Sequence, residues 1–230
     1  MYRLRPRRRA LGLGVVLAFC ALAVGACGAP EVAKPRPLPD ETRKLDPGTY
    51  RTEEFEPAFS FEVGEGWSTD LPEAYDLLVI ARADEGGPLG FANVREALVY
   101  KPTRTGSNTY MTDVPKDMVG WFRGHPYLET QGTDQVEVGG IEGVRLDLVV
   151  GDLPEGHHSE WCGSGCVNLI RFNSGGPPLT LWKEDKARLI VLEDVEGETV
   201  VTGFAMPASE FDDHAPEARK VLDTVDWRGG

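Results

Sequence analysis

Val136-Glu137-Val138-Gly139-Gly140-Ile141-Glu142-Gly143-Val144-Arg145-Leu146-Asp147-Leu148-Val149-Val150 is the most decisive stretch of the chain for its fold. Two runs that favour strands flank a Gly-Gly pair, and glycines at both central positions suit the primed two-residue turns that match strand twist. On the second arm Val144, Leu146 and Leu148 share one face, and Arg145 and Asp147 share the other. A strand alternates its side chains, so this pattern predicts an antiparallel hairpin with one face in a core.

Working outward, more strands are expected on both sides. Phe59-Ser60-Phe61-Glu62-Val63 alternates, Gly64-Glu65-Gly66 breaks it, and Trp67 follows. Asp76–Ala83 is more continuously apolar, and Leu89–Tyr100 reads as one strand with an irregularity near Arg95-Glu96. After the hairpin, Val167–Phe172, Thr180–Trp182, Ala187–Val195 and Glu198–Ala205 read as strands separated by Gly- and Pro-rich turns. Two helices are predicted. One runs over Asp113–Gly124, with Pro115 in its first turn and Met118, Trp121 and Phe122 on one face. The other closes the chain, where Phe211, Ala215, Ala218, Leu222 and Val225 form a stripe and Pro216 opens the regular part. Many consecutive strands with two helices predict an α+β domain: an antiparallel sheet of about six to eight strands flanked by helices.

The first thirty residues read differently. Met1–Arg9 carries five arginines and no acid, and Ala10–Ala26 is apolar but shorter than the ~20 residues a spanning helix needs. Val24-Gly25-Ala26 directly before Cys27 resembles the bacterial lipobox. That resemblance implies cleavage before Cys27 and a diacylglyceryl group on it, enough acyl chain for stable membrane anchoring. The competing reading is an ordinary secretory signal with an incidental cysteine. The Arg pairs hint at twin-arginine export, but the hydroxyl residue usual before such a pair is missing. The expected organisation is therefore a signal peptide over 1–26, a lipidated cysteine and Pro-rich tether over 27–49, and one globular domain over 50–230. Pro30, Pro35, Pro37, Pro39 and Pro47 stiffen the tether, which is expected to carry no fold. The expected location is the extracytoplasmic face of the cell membrane.

Without the signal the chain keeps 19 basic and 37 acidic residues, a formal charge near −18. That sign repels phosphate backbones and anionic headgroups, so no nucleic acid is expected and membrane contact falls to the lipid at Cys27. Cys20 leaves with the signal. Cys162 and Cys166 remain, and in an oxidising compartment they read as a disulfide closing a very short loop.

Beyond that pattern, an aromatic strand into a Gly-Trp turn (Phe59–Trp67), a mid-chain helix before a Gly-Gly hairpin, and a closing Phe…Val-Leu-Asp-Thr-Val helix resemble the PsbP/LpqN-like superfamily. The resemblance spans about Tyr50–Trp227. It implies an antiparallel sheet sandwiched between helices, a small lipoprotein of actinobacterial type, and a non-catalytic accessory or binding module. No family site residue maps onto a matching position, and the insertion Gly151–Cys166 lies outside the pattern.

Asn173-Ser174-Gly175-Gly176-Pro177 resembles the serine loop of chymotrypsin-like proteases, but Asn173 replaces that family's aspartate and no histidine has the required context; Gly and Pro between strands make a turn unaided. His157 and His158, followed by Cys162 and Cys166, are weak metal candidates, because oxidation removes the thiolates a zinc site would want. His125 and His214, at helix ends, read as capping or surface residues. The acid clusters lack calcium-loop spacing, and Trp67, Trp121 and Trp227 read as core. No cofactor and no catalytic residue is expected. The sequence reading is a lipid-anchored binding module whose functional surface is the 151–166 loop; the alternative is a lipid or glycolipid carrier with an apolar cavity under the sheet.

Overall fold

A computed structural model describes residues 34–82, 87–102, 110–159 and 161–228. The signal peptide and Cys27 lie outside these residues. The central layer is a seven-stranded sheet, antiparallel throughout, in the order β4 (Trp67–Thr69), β5 (Leu77–Arg82), β6 (Pro88–Asn93), β14 (Glu198–Pro207), β13 (Asp185–Val195), β10 (Ile141–Val150), β9 (Leu128–Val138). The β9–β10 hairpin closes on Gly139 and Gly140 with φ of 61° and 81°, the two left-handed positions of a type I′ turn. Gly139 is also required sterically, since a Cβ there would come within 2.6 Å of Trp227.

Because strand side chains alternate, this sheet has two buried faces, each with its own core. On the first face Leu78, Ile80, Phe91, Ile190 and Phe204 pack under the closing helix α2 (Phe211–Leu222) and a small sheet of β1 (Arg36–Pro37), β2 (Gly48–Arg51) and β3 (Ser60–Val63). On the second, Leu77, Ala92, Leu146, Leu148 and Val201 pack under α1 (Met118–Gly124) and a four-stranded sheet ordered β12 (Leu179–Trp182), β11 (Cys166–Arg171), β7 (Leu98–Tyr100), β8 (Met111–Asp113). The result is a three-layered α+β sandwich, antiparallel but for the β1–β2 pair. The alternation expected on β10 is present: Leu146 and Leu148 are fully buried in the second core. Asp147 faces the other way and takes a bidentate ion pair from Arg188 on β13, Nε to Oδ1 and Nη2 to Oδ2, both 2.8 Å.

Several expectations need correction. The stretch expected to be a fold-free tether is structured in its later part: Leu38 and Leu45 are buried in the first core, and Leu45 N–H donates to Trp67 O at 2.8 Å. Two apolar anchors are enough to pin a Pro-rich segment that has no periodicity of its own. Leu89–Tyr100 is two strands in different sheets, β6 and β7, divided at the expected irregularity. The first helix starts later, at Met118, because Met111–Asp113 is taken up as β8 and the Asp117 side chain caps the helix, accepting from Gly120 N–H at 2.6 Å. The second helix starts earlier, at Phe211, and holds Pro216 within it. His125 is the C-cap of α1, one of the two roles expected for it, and both it and His214 are buried rather than surface residues.

Candidate functional site

On the second face, the sheet is deliberately thin in side chains. Gly90 on β6 lies directly opposite Gly203 on β14, and Ala92 and Ala205 are the next residues on the same face. Small residues here leave a gap between this part of the sheet and the layer above, although Leu77, Ala92 and Val201 at its margins are buried. The gap is a half-open cleft of about 530 Å³, within the usual range for small-molecule sites. Leu77, Val79, Leu189 and Val201 complete the floor; Leu71 forms one wall, and Phe172 with the turn and strand 177–182 forms the other. The turn before that second wall lies close on the floor: a Cβ on Gly176 would come 3.0 Å from Leu77 Cδ2.

The lining is mostly apolar, with few ionisable groups. Asp70, Asp185 and Glu210 border the cleft, and among the described residues no Lys, Arg or His does. Trp182, 46% exposed, stands at its rim. Burial raises the Asp185 carboxyl above its ordinary value, opposed by the Trp182 backbone N–H and reinforced by the charge of Glu184. An apolar trough with few polar groups at its edge has the make-up of a site that holds and orients a ligand.

The residues singled out from sequence lie elsewhere. Ser174 N–H donates to Asp76 Oδ2 at 3.0 Å, and Asn173 Nδ2 donates to Glu96 O at 2.8 Å. Both belong to the turn between β11 and β12, as Gly and Pro there suggest. His157 and His158 are not brought together: His157 is buried with its Nε2 2.7 Å from Cys166 O, whereas His158 is exposed. Among the described residues no group of three or more His, Cys, Asp or Glu is placed to hold a metal. Cys162 and Cys166 are adjacent at disulfide distance, their Cα atoms 6.0 Å apart. The 151–166 loop, expected to be an open functional surface, turns inward in part: His157 and Ser159 are buried, and Ser159 N–H donates to Gly163 O at 2.6 Å. It approaches the cleft at β12, where Cys166 pairs with Trp182.

His125 lies in an aromatic run, with ring centroids 5.3 Å from Trp121 and 5.7 Å from Tyr127; Tyr127 in turn is 5.5 Å from His157. Burial lowers its pKa to about 4. His214 is wedged between Trp67 and Phe204 and is likewise lowered, by burial and by the charge of Arg82. Both are neutral packing residues at ordinary pH.

No family model matches the chain, and no curated protein does. Solved structures do align with it. One is a crystal structure from Bacteroides thetaiotaomicron, at 12% identity and a TM-score of 0.36, covering 73% of this chain and 44% of that one. Another is the solution structure of cyanobacterial PsbP (CyanoP) from a Synechocystis species, at 12% identity and a TM-score of 0.37, covering 88% of this chain and 97% of that one. This chain thus spans less than half of the Bacteroides protein. At these TM-scores the likeness says nothing of ligands or partners.

The sequence offered an apolar cavity under the sheet as an alternative but pointed to none of the residues that form the cleft. Its signal was Gly-x-Ala at Gly90 and Ala92 and again at Gly203 and Ala205, small residues repeated at strand period. Reading it requires knowing that β6 and β14 are neighbours although more than a hundred residues separate them.

Proposed function

We propose that this protein is a non-catalytic binding module, lipid-anchored through Cys27 on the extracytoplasmic face of the membrane, whose ligand occupies the cleft over Gly90 and Gly203. The observation that supports this reading is the cleft itself: about 530 Å³ of mostly apolar space, walled by two layers of the sandwich. Burying a ligand's apolar surface there would contribute roughly 25 cal/mol per Å². The ligand is a small molecule with a substantial apolar part. The anchor reading rests on Val24-Gly25-Ala26-Cys27, and among the described residues no helix is long and apolar enough to cross a membrane.

A second reading, carriage of a lipid or glycolipid between surfaces, is favoured by the cleft's open side, which would let a ligand enter and leave. The closed cavity expected for a carrier is replaced by a trough.

The test is to express the full chain with its signal, isolate it from membranes, and identify co-extracted small molecules by mass spectrometry. An amphiphile present at near-equal molar ratio, and lost in Gly90→Val, is expected; an empty protein that binds no apolar probe would refute the reading. Radiolabelled palmitate should mark the wild-type chain and not Cys27→Ala.

A further inference from the structure

Of the three acids that border the cleft, Asp70, Asp185 and Glu210, the last two are close together. Asp185 opens β13 and pairs in register with Pro207, the last residue of β14. Glu210 N–H donates to Pro207 O at 2.9 Å, so both acids lie at the same end of the trough. Trp182, the last residue of β12 and three residues before Asp185, presents its exposed ring at that end as well. The neighbouring cations do not neutralise the site. Lys186 lies on the opposite face of the sheet, its Nζ 4.3 Å from the Phe211 ring centroid, and Lys183 is exposed outside the lining.

We infer that the cleft selects an amphiphile with a cationic headgroup, its apolar body over Gly90 and Gly203 and its ammonium or guanidinium at Trp182, Asp185 and Glu210. This deepens the binding reading and rests on it. An aromatic face beside carboxylates is the chemistry that recognises a weakly hydrated cation: the ring quadrupole attracts the charge and the acids complement it. The same acids repel a phosphate, sulfate or carboxylate head, and the long-range field of an acidic chain adds to both effects. The charge term is screened by salt, whereas apolar burial is not. A bound cation would offset the burial that raises the Asp185 carboxyl.

The experiment is calorimetric titration of the mature chain with three probes sharing one tail: dodecyltrimethylammonium, dodecyl maltoside and dodecyl sulfate, each below its micellar concentration. The cationic probe is expected to bind about tenfold more tightly than the neutral one, and the sulfate most weakly. In Asp185→Asn/Glu210→Gln, and separately in Trp182→Leu, the ratio of cationic to neutral affinity should fall toward one. Equal affinities, or tightest binding of the sulfate, would overturn the headgroup assignment and leave the cleft reading standing. If no probe binds, or if Gly90→Val leaves all three affinities unchanged, the cleft reading fails and the assignment falls with it.

Discussion

Gly90 and Gly203 face each other across β6 and β14, yet the two glycines are present for different reasons. A Cβ on Gly90 would meet only backbone oxygens at 3.8 and 3.9 Å, ordinary contacts. One on Gly203 would come within 2.0 Å of Arg188 O, and its φ of 152° is one that side chains rarely adopt. Gly90→Val should therefore fold normally and fill the cleft floor, abolishing binding of an apolar probe with little change in melting temperature. Gly203→Val should lose about 3 kcal/mol or more, because the backbone must shift to admit it. Thermal melts of the two variants, read beside probe binding, separate space in the cleft from strain in the strand.

The Asp147–Arg188 pair ties β10 to β13 beneath α2, with little side-chain exposure on either partner. Burial pushes the Asp147 carboxyl up, but hydrogen bonds and charge from Arg188 outweigh it and hold the carboxyl below its ordinary range. Asp147→Ala leaves a guanidinium without its partner in a largely buried place. The expected loss is about 2–4 kcal/mol, measured as a fall in the urea midpoint; Arg188→Met/Asp147→Leu should recover part of it.

His125 gives the fold a defined acid sensitivity. Its pKa falls from an ordinary 6.5 to about 4 on burial, so the unfolded chain binds the proton more readily than the native one between those values. Stability is complete above pH 6.5 and declines as the pH falls toward 4, by roughly 3 kcal/mol from this residue. His125→Phe should flatten that part of the stability–pH curve in denaturant titrations at pH 7 and 4.5; an unchanged slope would show that His125 is not the group responsible.

If Cys162 and Cys166 are oxidised, they close a loop of five residues. Chain-entropy reasoning gives such a loop only about 2 kcal/mol, so a Cys162→Ser/Cys166→Ser chain should still fold. Its melting temperature should drop by several degrees. Intact mass should rise by two hydrogens when the exported wild-type protein is reduced, and two free thiols before reduction would refute the pairing.

The legible parts of this fold were those that announce themselves locally. The Gly139-Gly140 turn, the alternation on β10 and the Phe211–Leu222 stripe each encode their structure within a few residues, and each stands in the structure with small boundary shifts. Leu38 and Leu45 were illegible because their burial depends on a sheet edge built by residues far along the chain. β8 was hidden for a similar reason: Met111-Thr112-Asp113 shows no strand pattern and is drawn into place by β7. The cleft was least legible of all. It is made of absent side chains on two strands that only the sheet order brings together, and the polar loop that drew attention instead carries His157 inward.

The central claim is that the trough over Gly90 and Gly203 is where this protein binds its ligand. Amide chemical-shift mapping with a dodecyl probe tests it most directly. Shifts concentrated at Leu77, Gly90, Ala92, Val201, Gly203 and Trp182 are predicted, with the 151–166 loop moved only where Cys166 meets β12. Shifts clustered in that loop around His157 and His158, with the Gly90 and Gly203 amides unmoved, would contradict it.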